Sequence, residues 1–316
     1  MWIVVETNSH LTPDIEKKYV HGVYDAIASH FSSTRFAKWP KVANFLETLV
    51  PGSLIIDAGC GNGKYLGLNP RCFFMGCDLS APLISICSQR GHEVLVADAL
   101  CLPYRTESFD AAISIAVLHH LSTEERRKKA VEELARVVVK GGSILITVWA
   151  VEQEDKNLIS RWTPLTSKYS EEWVGAGLKS RSSKSSGPAL ESIEEQEVID
   201  DVSNNHDELK LAENAGIQPI SNLLHGKPAE FGVGQQDYFV PWHLPYHRAE
   251  IAGATAGAIA SGLARKDDKK GAIIYDRYYH VFAEGELERL VSGVRGVDVF
   301  DSFYDKSNWC VILRKT

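Results

Sequence analysis

No stretch of the chain approaches the ~20 consecutive apolar residues of a membrane-spanning helix. The amino terminus offers only the short apolar run Trp2–Val5 with no cationic segment before it, so neither a span nor an export signal is expected. The six cysteines (Cys60, Cys72, Cys77, Cys87, Cys101 and Cys310) form no C-x-x-C pair, which removes the common zinc-site spacing and any dense disulfide framework. No metal-ligand set is read, and a reducing compartment, cytoplasmic and also nuclear, is the expectation. Positive charge is not in excess either. The chain carries −7 over 316 residues, whereas phosphate binding favours a basic surface. What is present is ordinary: 44% hydrophobic and 24% charged residues, enough for two small domains or one elaborated α/β domain.

The acidity is local. Residues 151–235 hold 15 acidic and 8 basic side chains, leaving 26 of each sign elsewhere, so this segment alone accounts for the net charge. It contains KSRSSKSSGP and IEEQEVIDDVSNNHDE, polar runs with little apolar period, and is expected to be a largely disordered insertion. The expected organisation is an amino-terminal extension (1–18), a core (19–150), the insertion (151–235), and a segment (236–316) that covers the substrate and completes the same domain.

Short β-branched runs alternate with helical ones in the core. Strands are predicted at 53–59, 72–78, 93–97, 109–115 and 143–149. Helices are predicted in APLISICSQRG and TEERRKKAVEELARVVVKGG. For the latter, Thr123 serves as amino-terminal cap and Lys140–Gly141 as the end. After the insertion, EGELERLVSGV reads as a helix, and VDVFDSF and NWCVILRKT as a closing antiparallel hairpin. The βαβ succession predicts an α/β fold with one mainly parallel, Rossmann-like sheet of seven strands and an antiparallel final strand.

The first strand ends in Asp57-Ala58-Gly59-Cys60-Gly61-Asn62-Gly63. A glycine-rich turn at the carboxyl end of a central strand lets backbone approach a nucleotide. The dinucleotide pattern G-x-G-x-x-G fails because position 64 is lysine. Asp78 ends the second strand, where a carboxylate can accept two ribose hydroxyls, and Asp98 follows the third, where it can receive an adenine amine. NAD would also use the Asp78 position, and each acid taken singly is as readily a helix cap. In this order, with Asp110 in F-D-A-A, residues 19–149 resemble the class I S-adenosylmethionine-dependent methyltransferases.

Further segments narrow the resemblance. YVHGVYDAIASHFSSTRFAKWP, DAGCGNGKYLG, ISIAVLHHLST, VWAVEQE, DRYYHVF and YDKSNWCVILRK together are similar to the tRNA wobble-uridine carboxymethyl methyltransferases, in their stand-alone form. The resemblance implies methyl transfer from S-adenosylmethionine to the carboxylate of 5-carboxymethyluridine in the tRNA anticodon loop. It implies a cofactor wall of Arg35, Asp57, Gly59, Gly61, Tyr65, Asp78, Asp98, Ala99 and Ile115. It also implies a partner, the small zinc-binding methyltransferase activator subunit.

A carboxylate attached through a methylene has a pKa near ~4 and is already an anionic nucleophile, so donors that orient it are needed rather than a strong base. Arg35, in a polar S-S-T-R run, and His119, after the fourth strand, are the expected orienting groups. Arg35 is expected on the cofactor carboxylate in preference to the substrate's. His120 and the run containing Arg277, Tyr279 and His280 are the expected substrate contacts, with backbone-bonding and core roles as the alternatives. Trp309 is expected in the core. The third strand, Glu93–Ala97, is expected at the sheet edge without proline, lysine or short length to blunt it, which makes it the expected dock for the activator. A small-molecule methyltransferase and a non-catalytic binding module remain as rivals.

Overall fold

The computed structural model describes residues 12–155, 157–165, 234–252 and 255–316. The expected disorder of 166–233 therefore lies outside the described residues, as does the start of the extension.

Five strands run parallel in the core: β1 (Leu54–Ala58), β2 (Phe73–Asp78), β3 (Val94–Val96), β4 (Phe109–Ile115) and β5 (Val138–Trp149). Strands β10 (Val297–Asp305) and β11 (Asn308–Lys315) form the closing hairpin, and β11 lies antiparallel against β5. The sheet order is β10-β11-β5-β4-β1-β2-β3. Alternate residues of the central strands feed two cores. Ile56, Ala112 and Ile144 pack with Val131 and Leu134 of α5 (Glu124–Val137) on one face. Ile55, Ile113 and Leu145 pack with Val42 and Leu46 of α3 (Pro40–Glu47) on the other. This two-sided covering is why the strands read as near-continuous apolar runs.

Local signals fix several boundaries. The Thr123 hydroxyl caps α5 by accepting from Arg126 N at 3.3 Å. The helix ends at Val137 rather than at Lys140–Gly141, because the β-branched run Val137–Val139 passes directly into β5 and Val138 pairs with Phe109. The hairpin turn is Lys306–Ser307, both with positive φ (44° and 62°), as a two-residue turn with the right-handed strand twist demands.

One sheet was expected; the structure has two. Strands β6 (Thr163–Pro164), β7 (Asp237–Pro245), β9 (Ala272–His280) and β8 (Ala264–Asp267) form a separate antiparallel sheet. Pro241 and Pro245 disguise β7. Strand β6 covers only Tyr238 and Phe239, so the rest of β7 is an edge, where proline is tolerated. Trp242, Ile273 and Tyr275 of this sheet bury Val23 and Ile27 of α2 (Val23–Thr34). The start of the assigned insertion is therefore ordered, with Trp162 buried between Trp149 and Tyr238. The assigned extension is likewise tied down: Glu16 is fully buried and accepts from Ser122 N and the Arg126 guanidinium.

Strand β3 does lie at the edge, but it is only three residues long, so the expectation of an unblunted strand is corrected. Val94 packs into the cluster of Cys60, Leu66 and Ile84, and Val96 is the exposed member at 47%. All six cysteines are free thiols.

Candidate active site

The carboxyl ends of β1, β2 and β4 open into a cavity whose far wall is built by α2 and β9. The glycine loop forms its floor. Gly59 has φ +86°, and a Cβ there would meet Val117 Cγ2 at 2.3 Å, so neither the conformation nor the space admits a side chain. Gly61 N donates to Asp78 Oδ2 at 2.9 Å, while Ser80 N donates to Oδ1 at 2.9 Å. Asp78 is thus an oriented carboxylate with lone pairs left over, although burial raises its pKa. Asp98, fixed by Leu100 N at 2.9 Å, lines the same cavity with Ala99 and Ile115. Ala116 adopts φ +60° at the end of β4, a strained turn held by Thr147 and facing the cavity.

Asp57 is the anomaly of the floor. It is buried, its Oδ2 has no hydrogen-bond partner, and burial with Asp78 nearby pushes its pKa up to about 7. Lys64 also lines the cavity. Its ammonium lies 4.9 Å from the ring centroids of both Trp39 and Tyr65, and burial beside Arg35 lowers its pKa to about 8. The Tyr65 hydroxyl accepts from Trp39 N at 3.3 Å. Arg35 closes α2 with its guanidinium 4.9 Å from the Trp242 ring, and its carbonyl accepts from Asn62 Nδ2 of the glycine loop at 2.6 Å.

The far wall is aromatic and carries neutral donors. His119 is buried, stacks on Tyr279 at 4.7 Å and 13°, and accepts from Trp149 N through Nδ1 at 3.3 Å. That bond leaves the proton on Nε2. Burial, then the neighbouring His120 and Arg277, hold its pKa well below the usual range, so it is a neutral N–H donor. His120 Nδ1 donates to Tyr278 O at 3.0 Å, which makes Nε2 the acceptor for the Tyr24 hydroxyl at 3.0 Å. Tyr24 then accepts from Tyr279 at 3.4 Å. Burial lowers His120 to about 3, which keeps this chain neutral throughout. The Arg277 guanidinium lies 4.8 Å from the Trp242 ring and 5.2 Å from that of Tyr279.

A methyltransferase domain model matches residues 56–146. A tRNA (carboxymethyluridine(34)-5-O)-methyltransferase of Arabidopsis thaliana is 60% identical, the match covering 96% of this chain and 82% of that protein. One from Schizosaccharomyces pombe is 33% identical over 96% of this chain and 98% of its own length. The chain belongs to the tRNA carboxymethyluridine methyltransferase family. A longer member from Mus musculus is 41% identical over 96% of the chain, which spans only 44% of it.

Family membership implies S-adenosylmethionine as methyl donor, and the floor fits it: an unpartnered buried carboxylate oxygen suits a cationic group, and Asp78 suits a diol. The cavity brings together all the expected cofactor residues of the family reading, and His119, His120, Arg277 and Tyr279 besides. His280 is a correction. Side chains alternate along β9, so Arg277 and Tyr279 face the cavity while Tyr278 and His280 face away. His280 is held by Glu286 at 2.8 Å and Asp237 at 3.1 Å. Burial opposes its charge, but the two carboxylates outweigh it and raise the pKa. It is a structural ion-pair group. Tyr24, Trp39, Lys64, Ala116 and Trp149 line the cavity without having been singled out in the sequence. Only Lys64, next to the glycine loop, carried a local signal. Asp110 accepts from Leu54 N at 2.8 Å, at the start of β1, outside the cavity lining.

Proposed function

We propose that the protein methylates the carboxylate of 5-carboxymethyluridine at the tRNA wobble position, giving the methyl ester, with S-adenosylmethionine as donor. The observation that carries this reading, beside the family, is the composition of the far wall. His119, Tyr279 and Arg277 offer donors and aromatic faces, and two histidines there are held neutral. An ionised carboxylate needs orientation and exclusion of water rather than deprotonation. When bound, S-adenosylmethionine supplies an electrophilic methyl carbon on a sulfonium leaving group. Asp57, Asp78 and Asp98 would hold the donor's cationic and nucleoside parts, Arg35 and Lys64 would pair with its carboxylate, and the glycine loop would admit it. The His119 Nε2–H and Arg277 orient the substrate carboxylate, while Tyr279 and Trp149 flank the base.

The activator subunit is proposed to add to the β3 edge, where Val96 is exposed. Because Val94 is part of the core, Val96→Lys is the clean probe of that contact. Nucleoside mass spectrometry of carboxymethylated tRNA incubated with the protein, donor and activator tests the function; methyl ester is expected, and its absence with the activator bound would refute the reading.

A further inference from the structure

Between Asp25 and Glu47 the sequence has no acidic residue, yet it carries Arg35, Lys38 and Lys41 in a protein of net charge −7. This stretch forms the rim of the cavity. Arg35 and Trp39 line the wall, and the residues between them face solvent. Phe36 is 71% exposed, a large apolar ring in water that lies between Arg35 and Lys38 in sequence, while the Lys41 ammonium donates to Tyr304 O at 3.4 Å on an exposed surface. It does not sit on a loose segment. Asn62 Nδ2 donates to Arg35 O at 2.6 Å, Lys64 Nζ to Ala37 O at 3.4 Å, and Pro40 begins α3 immediately after. The backbone holding the ring is thus anchored to the glycine loop on one side and to a helix on the other.

We propose that Phe36, with Lys38 and Lys41, is the landing platform for the RNA strand beside the nucleotide being modified. Phe36 stacks on a neighbouring base, and the two lysines pair with phosphates. The proposal rests on the tRNA reading above and deepens it by naming the surface that holds the flanking nucleotides. A single exposed ring among cations matches the alternation of base and phosphate in a single strand, where stacking is tolerant of sequence and the backbone is polyanionic. A protein partner would call for contiguous apolar surface rather than one ring flanked by basic and small residues. Being next in sequence to a wall residue, Phe36 is within reach of the base that follows one splayed into the cavity.

The test is binding of a fluorescent anticodon stem–loop bearing 5-carboxymethyluridine, read by anisotropy with S-adenosylhomocysteine present and no turnover. Phe36→Ala is expected to weaken binding about tenfold and Phe36→Trp to restore it, as stacking predicts. Replacing Lys38 and Lys41 together with alanine should lower the slope of log affinity against log salt by about 1.4, two single-strand phosphate contacts. Cofactor affinity by calorimetry should be unchanged in all three variants. Wild-type binding by Phe36→Ala, equal weakening by Phe36→Trp, or loss of the activator subunit in place of RNA would each overturn the proposal. Failure of the wild-type protein to esterify the stem–loop would count against the proposed reaction, and this comparison of binding would still decide the role of Phe36.

Discussion

Asp57 should make cofactor affinity depend on pH near neutrality, where an ordinary surface carboxylate is already fully ionised and gives no trend. In the free protein its pKa stands at about 7 against a usual 3.8, because burial and the nearby Asp78 disfavour its charge. A cationic group placed against the unpartnered Oδ2 favours the ionised form, so binding draws the pKa down and expels a proton. Lys64 titrates near 8, so the clean window is pH 6 to 7.5. From pH 7.5 down to pH 6 the ionised fraction of Asp57 falls from roughly 75% to roughly 10%. Affinity should therefore drop about eightfold, near 1.3 kcal/mol. Calorimetry in buffers of different ionisation enthalpy should count roughly 0.9 protons released at pH 6 and roughly 0.5 at pH 7. Asp57→Asn should bind more weakly with no such trend. A raised folded pKa contributes stability that is full below the unfolded value and is lost as pH rises through about 7. The cofactor-induced rise in Tm should accordingly be larger at pH 7.5 than at pH 6. Equal affinity and no proton release across the window would refute the placement of a cation at Asp57.

Four further substitutions have expected outcomes. His119→Ala should slow ester formation roughly 10²-fold, with cofactor affinity little changed, since it removes an orienting donor; Arg35→Ala should chiefly weaken cofactor binding, and wild-type turnover in both would refute the donor set. Gly59→Ala should lower Tm and cofactor affinity together, because φ +86° alone costs about 1–2 kcal/mol and the Cβ meets Val117; thermal melts and calorimetry report both. His280→Gln should destabilise the fold by about 1–3 kcal/mol in denaturant titrations while sparing cofactor affinity. That loss should be greatest between the usual carboxylate range, below which Asp237 and Glu286 lose their charge, and the raised His280 pKa, above which the imidazole loses its own.

The doubly wound sheet was legible because its signals are local. β-Branched runs, glycine turns and capped helices declare β1–β5, and the D-x-G-x-G-x-G loop with Asp78 and Asp98 declares the cavity floor. The second sheet was not, since β7 carries two prolines and its partners lie far along the chain. Missing β9 as a strand led directly to the error at His280. Once residues 272–280 are a strand, alternation alone assigns Arg277 and Tyr279 to one face and His280 to the other. Tyr24 was hidden for a related reason. Its hydroxyl acquires a role only when His120 and Tyr279 arrive from elements about a hundred and more residues away. Contacts made by packing of distant elements leave no mark on local pattern.

The pairing of Pro164 with Tyr238, and of Thr163 with Phe239, ties together two points of the chain more than about seventy residues apart in sequence. Leu165 N donates to Asp237 O at 2.8 Å as the last rung. With its two ends fixed in the sheet, the sequence between them closes a loop whose length carries little energetic cost. Doubling a closed loop costs only about 0.6 kcal/mol. The paired junction is therefore where a lineage can graft new recognition or regulation onto the enzyme without retuning its chemistry, and where an engineer can splice in a tag or sensor.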